Sequence, residues 1–272
     1  ARMALLLAGF PQSVPGTTIN RLCGSSLEAI IQGARAIWSG ENDIVIAGGA
    51  ESMTRAPYVF SKNVSGSALY GNLTAYDTSL GWRFPNPKME KIIPLESMGE
   101  TAENVAEKYL VNRSDQDEFA LNSHRKAVAA RSRLAEEIVT VEVPTKNGSI
   151  KISADEGPRE DTSIERLSKL KPAFRENGSV TAGNSSSLND GAAGLIMMSE
   201  EKANALGLKP LARIISSGVA GVDPRCMGIG PVPATQKALQ KANIKTSDIG
   251  LIELNEAFAA QSLACQRELG LD

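Results

Sequence analysis

Cys23 is the residue of this chain best placed to be a nucleophile, because it stands where a weakly apolar segment, GTTIN, gives way to a strongly apolar one, SSLEAIIQGARAIW. A thiol at the mouth of a helix meets unpaired backbone N–H groups and the positive end of the helix dipole. Both favour the thiolate, the form that attacks carbonyl carbon. On position alone a small buried filler is an equal reading of Cys23, whereas Cys265 falls on the apolar face of the last helical stretch and reads as core filler. Asn255 closes an apolar strand-like run just ahead of a helix, where an ordinary N-cap is its simplest role. Met98 and Met227 read as core on residue type, and Arg83 and Arg159 as surface charges. His124, the single histidine, lies among Asn122, Ser123, Arg125 and Lys126 on the polar face of a helix, where a solvated role is expected.

The elements that must position these groups are legible in the apolar pattern. From residue 17 to 50 it predicts a short strand, the Cys23 junction, a helix ending near Trp38 with Gly40 as its stop, and a strand over DIVIAGGA buried on both faces. A second alternation begins near Pro210, with strands expected at LARIISSGV and IGLIELN and helices at PATQKALQKANI and EAFAAQSLACQREL. Strands alternating with helices imply an α/β fold with a parallel or mixed sheet covered on both faces. Between Ser52 and about Gly178 the sequence turns polar and proline-punctuated, an excursion with helices near 100–109 and 114–132. The second of these is expected to start at Ser114, Asp115 and Asp117.

Composition narrows the class. With 272 residues and 42% apolar content, the chain can build a sizeable core as one domain or two. A formal charge of −2 provides no global basic field, so nucleic acid is not an expected partner and any anion site must be local. Three cysteines without metal-ligand spacing and one histidine argue against zinc and against a disulfide scaffold, so a reducing compartment, the cytoplasm, is expected. The run MALLLAGF is too short to span a bilayer and lacks a signal-peptide cleavage pattern.

Residues 20–26, NRLCGSS, resemble the active-site signature of thiolases, enzymes that make or break the carbon–carbon bond of 3-ketoacyl-CoA thioesters. The resemblance continues through AGGAESMTRAP (47–57), GETAENVA (99–106), VTAGNSSSLNDGAA (180–193), GVDPRCMGIGPVPA (221–234) and ELNEAFAAQ (253–261), in the family's order and along the whole chain. It implies a five-layered α/β/α/β/α fold of two similar halves sharing a central pair of helices. The expected division is part of the N-terminal half over 1–51, an inserted loop domain over 52–178, the return strand and end of that half over 179–208, and part of the C-terminal half over 209–272.

The same resemblance implies roles. Cys23 becomes the acylated nucleophile, with its own backbone N–H as an oxyanion donor. Asn255 helps hold a water in the oxyanion hole that receives the thioester carbonyl. Met98 and Met227 line the acyl and pantetheine channel, Ser186 contacts the pantetheine arm, and Arg159 lies near the adenine end of CoA, although its neighbours PREDT depart from the family pattern. Ser97 stands where some members carry histidine. The family's GHP histidine, which would activate Cys23, and its glycine-rich second cysteine, the base for the acetyl-CoA α-proton, are in motifs absent from these 272 residues. The chain is therefore expected to be the middle two thirds of a thiolase, cut at both ends and incomplete as a catalyst by itself. CoA and acyl-CoA are the expected partners, without metal, prosthetic group, nucleic acid or membrane, in a homodimer or homotetramer. The segment DTSLGWRFPNP (77–87) is similar to thiolases that cleave 3-oxoadipyl-CoA, with Arg83 as the candidate partner of the substrate's second carboxylate. The alternatives are an acetoacetyl-CoA or fatty-acid thiolase, and a catalytically incompetent relative that only binds CoA or a partner chain. A ketoacyl synthase is disfavoured by the NEAF motif.

Overall fold

A computed structural model describes residues 1–62 and 72–271; residues 63–71, within the expected loop domain, and Asp272 lie outside the described residues. In chain order the elements are α1 (Arg2–Leu7), α2 (Ser25–Trp38), β1 (Ile44–Glu51), β2 (Tyr58–Val59), β3 (Tyr76–Asp77), α3 (Pro87–Glu90), α4 (Met98–Lys108), α5 (Arg113–Ala129), α6 (Arg131–Leu134), β4 (Val141–Thr145), β5 (Gly148–Ile152), α7 (Ile164–Leu167), β6 (Gly191–Met198), α8 (Glu200–Ala205), α9 (Pro231–Ala242) and α10 (Ala259–Leu269). They fall into two compact units: residues 1–56 with 188–216, and residues 57–187 with 217–272.

The first unit is built on the antiparallel pair β1–β6, in register from Ile44 opposite Met198 to Glu51 opposite Gly191. Alternation along β1 turns Val45 and Ala47 toward α2, and α2 settles on that face through Gly33, where an added Cβ would lie 2.4 Å from the Met197 methyl and 2.9 Å from Val45 Cγ1. At the centre of the pair the two backbones approach so closely that a Cβ on Gly48 would stand 2.3 Å from the Ala193 carbonyl oxygen. The opposite face, bearing Ile44, Ile46 and Ile196, is 43 to 64% exposed, so β1 is not buried on both sides as its apolar run predicts.

The second unit centres on α4 and α10. Val105, Val111, Cys226, Ile229, Val232, Ala264 and Cys265 form one buried cluster, and Ala102, Ala106, Val180 and Ala260 a second beside Phe258. Helix α4 starts at Met98 because the Ser97 hydroxyl accepts from the Glu100 N–H, and α5 starts at Arg113 because the Asn112 side chain accepts from the Asp115 N–H. The cap of α5 is thus Asn112 rather than Ser114.

Several expected strands are absent from the described residues. Residues 17–20, 211–219 and 250–255 carry no strand, and Leu211 and Leu251 point their side chains into solvent. The reason is that β-rich composition offers a strand but only a hydrogen-bonded neighbour makes one, and these segments pair with no ladder among the described residues. The described ladders are all antiparallel pairs, β1–β6, β2–β3 and β4–β5. The β4–β5 hairpin closes with Thr145 opposite Gly148 and turns through Lys146 and Asn147, and Gly148 opens β5 at φ +128°, a conformation that favours glycine.

The close approach at Gly48 has a measurable consequence. Gly48→Ala forces backbone apart and should lower unfolding free energy by about 1–3 kcal/mol, whereas Gly191→Ala, with no atom within 4 Å of the new methyl, should change it by less than about 0.5 kcal/mol. Urea midpoints of the two variants check this; equal destabilisation would remove Gly48 as the contact that sets the pair.

Candidate active site

Cys23 lies in a single helical turn, Leu22–Gly24, that runs directly into α2, and it is exposed. Gly24 is the N-cap, so the thiol sits one residue outside the helix, at its positive end. The approach is tightly wound. Leu22 has φ +48°, a left-handed conformation that costs a non-glycine residue roughly 1–2 kcal/mol. Local hydrogen bonds hold it there: the Leu22 N–H donates to Asn20 Oδ1 at 2.9 Å, and the Ser25 hydroxyl donates to the Leu22 carbonyl at 2.6 Å while accepting from the Arg21 N–H at 2.9 Å. Arg21 Nε also stands 3.1 Å from the buried Glu28 carboxylate, an ion pair that ties the turn to the first turns of α2. Asn20, Arg21 and Ser25 of NRLCGSS therefore each have a mechanical reason to be there. The remaining cysteines are buried, and burial pushes both thiols up from their ordinary range. Cys265 is more than filler, since its Sγ donates to the Gly228 carbonyl at 3.3 Å.

In the second unit, Met98 opens α4 and is half-buried, whereas Met227 lies in the helical turn Pro224–Ile229 and is 45% exposed. A fork of charge joins the two segments. Arg225 places Nη2 2.9 Å from Glu96 Oε1 and Nε 3.2 Å from Glu96 Oε2, and Asn104 on α4 donates both to Glu96 and to the Arg225 carbonyl at 2.9 Å. Arg175 completes the clamp by donating to Asn104 Oδ1 at 2.6 Å and to Glu100 Oε2 at 2.8 Å. Trp82 Nε1 donates to the Glu96 carbonyl at 2.9 Å, which pins the segment carrying Arg83 beside the start of α4. Arg83 itself is exposed and donates to the Gly81 carbonyl.

Asn255 is exposed in an extended segment, and it is not the cap of the following helix: the N-cap of α10 is Phe258. Its neighbour Glu256 accepts from the Ser123 hydroxyl of α5 at 2.6 Å. Ser186 is exposed, and its N–H donates to the Ala257 carbonyl at 2.9 Å, so the candidate pantetheine residue and the NEAF segment share a ladder rung. Arg159 is exposed, and its backbone N–H donates to His124 Nδ1 at 3.2 Å. The histidine is thus half-buried and anchors a loop to α5, a role its polar neighbours did not reveal. No helix among the described residues is long and apolar enough to cross a membrane.

The family models described as "Thiolase, N-terminal domain" and "Thiolase, C-terminal domain" match residues 1–201 and 208–272. The chain is 54% identical over 274 residues to a 3-oxoadipyl-CoA/3-oxo-5,6-dehydrosuberyl-CoA thiolase of Escherichia coli strain K12, covering 100% of this chain and 68% of that protein. It is 52% identical over 273 residues, with the same coverage, to a beta-ketoadipyl-CoA thiolase of Pseudomonas putida. The crystal structure of the Bacillus anthracis acetyl-CoA acetyltransferase matches all of this chain over 68% of its own, with a TM-score of 0.88 and 46% identity. The chain belongs to the thiolase family and has its α/β fold. It is a thiolase, an acyltransferase whose reaction is the thiolytic cleavage of 3-ketoacyl-CoA, with CoA and acyl-CoA as the reacting partners.

The clamp around Glu96 gives the site an acid limit. The hydrogen bond from Arg225 holds the Glu96 carboxyl below the ordinary glutamate range; burial works against this, and the Arg225 charge, Asn104 and Arg175 add to the lowering. A depressed folded-state value contributes stability that is fully present above the unfolded value, about pH 4.3, and is lost as pH falls through the lower folded value. Urea midpoints of the wild type and of Glu96→Gln between about pH 3 and 6 should converge at the acid end and separate above about pH 4.3. Parallel curves would show that the clamp carries no such linkage.

Proposed function

We propose that the chain carries the nucleophile of a thiolase acting on 3-oxoadipyl-CoA, with Cys23 as the acylated residue. The observation that carries the reading is an exposed thiol one residue outside the mouth of α2, in a turn wound tightly enough to need Leu22 at positive φ. In the forward direction Cys23 Sγ bonds to the 3-keto carbon, the bond between carbons 2 and 3 breaks, and the two-carbon fragment takes a proton and leaves as acetyl-CoA. The thiolate of free CoA then attacks the cysteinyl thioester and returns Sγ as a thiolate. From the six-carbon 3-oxoadipyl chain the four carbons left on Sγ would depart as succinyl-CoA. Oxyanion stabilisation falls to the Cys23 backbone N–H and to Asn255 through a water. Met98, Met227 and Ser186 serve the acyl and pantetheine arm, and Arg159 the adenine end. The chemistry asks for a thiol, donors and a base and needs no metal or prosthetic group; the enzyme works as a homo-oligomer in the cytoplasm.

Substrate choice rests on two supports: the 3-oxoadipyl-CoA and beta-ketoadipyl-CoA thiolases of E. coli and P. putida that the chain resembles, and a cation held in position. The substrate's terminal carboxylate must be paired when it leaves water, and the Trp82 bond to Glu96 keeps the Arg83 segment beside Met98. A charge-assisted hydrogen bond is worth about 1.5–3 kcal/mol, or about 10- to 100-fold in rate. In the full-length gene product, Arg83→Ala should therefore lower kcat/KM for 3-oxoadipyl-CoA by about 10- to 100-fold and leave that for acetoacetyl-CoA within about threefold. Equal losses on both substrates, or a wild type that prefers acetoacetyl-CoA, would favour a short-chain thiolase instead.

A further inference from the structure

Three buried polar side chains, Glu103 (4% exposed), Gln116 (0%) and Asp117 (3%), converge on residues 178–186, where Asn184 (3%) is buried as well. Glu103, on α4, accepts from the Ser179 N–H at 2.9 Å, from the Val180 N–H at 2.8 Å and from the Ser179 hydroxyl at 3.1 Å. Gly178 leaves room for that carboxylate, since a Cβ there would lie 2.2 Å from Glu103 Oε1. Gln116, on α5, donates to the Ser179 hydroxyl at 2.9 Å. Asn184 uses its whole amide: Nδ2 donates to Asp117 Oδ1 at 3.0 Å and to the Ser179 carbonyl at 3.2 Å, and Oδ1 accepts from the Thr181 N–H at 2.8 Å. Asp117 is held in turn by Arg113 Nε at 2.7 Å.

The far side of Asn184 points at the chemistry. Its carbonyl accepts from the Ala259 N–H at 3.0 Å, the Ser186 N–H donates to the Ala257 carbonyl at 2.9 Å, and Ser185 pairs antiparallel with Phe258. One residue therefore has its side chain locked to α5 and its backbone laddered to the segment that follows Asn255 and Glu256. Apolar packing would hold the same elements together without fixing an angle, whereas directional hydrogen bonds between buried polar groups select one arrangement; of these four side chains Gln116 keeps one buried atom, Oε1, without a partner.

We propose that Asn184 is a positioning residue for the thiolase reaction, transmitting the fixed geometry of α4 and α5, through Glu103 and Asp117, to Ser186 and to the segment bearing Asn255. The proposal rests on the roles given above to Ser186 and Asn255. A displacement of about 1 Å in a positioned group costs on the order of 100-fold in rate, so a loosened ladder is read in kinetics before it is read in folding.

The test uses the full-length gene product. Asn184→Ala should lower kcat/KM for thiolysis by about 10- to 100-fold, with a raised KM for CoA, at a temperature where circular dichroism shows it folded, and hydrogen exchange at the Ser186 and Ala259 amides should quicken. Leu121→Ala, in the buried cluster of α5 and α7, is the control: it should lower the melting temperature and leave KM and kcat within about twofold. If Asn184→Ala does not fold, Asn184→Ser, too short to reach Asp117, is read the same way. Unchanged kinetics in the folded variant, or the same kinetic loss in Leu121→Ala, overturns the proposal. Ser186→Ala and Asn255→Ala separate the layers: if both behave as wild type, the functional reading beneath the proposal fails; if both are impaired while Asn184→Ala is not, only the positioning role fails.

Discussion

A carboxylate taken out of water must be met by donors, and Glu103 is the carboxylate on which the second unit turns. Left unpaired it would cost several kcal/mol; each hydrogen bond to a charged group returns about 1.5–3 kcal/mol, and Ser179 and Val180 supply three donors between them. Meeting that demand draws residues 178–180 onto α4, fixes Asn184 against Asp117, and lays residues 184–186 along 257–259. The hydrophobic clusters around α4 and α10 supply the bulk of the cohesion, but their contacts do not choose one register over another.

The first unit solves a different problem, bringing a helix start and an exposed thiol onto a sheet with little bulk in the way. Small residues do this where α2 meets β1 and where β1 meets β6, so side-chain volume is removed from the positions that set the approach. The strain at Leu22 is stored in the same place and is held by the Asn20 and Ser25 side chains, which explains why polar residues bracket the cysteine.

Much of this was legible in the sequence. The change of apolar character at Cys23 marks the helix mouth, and the helix ends at Trp38 as its pattern predicts. The α4 motif was visible as a block, and family motifs ordered the whole chain. What was hidden was long-range pairing: Glu103 meets Val180 across 77 residues, Asn184 meets Asp117 across 67, and Arg225 meets Glu96 across 129, so no local spacing announces them. Asn255 looked like a cap because its residue type says nothing of where α10 starts: the N-cap is Phe258, three residues further on, which also bridges Ser185. The segments at 211–219 and 250–255 looked like strands because β propensity reports a side chain's fit to a sheet, not the presence of a partner.

The account stands most directly on covalent chemistry at Cys23. The full-length gene product should be mixed with 3-oxoadipyl-CoA in the absence of free CoA, quenched in acid, digested and mapped by mass spectrometry. A succinyl group on the peptide containing Cys23, formed together with acetyl-CoA and removed on adding CoA, is the predicted result. Release of acetyl-CoA with Cys23 unmodified, or the acyl group on Cys226 or Cys265, would contradict it.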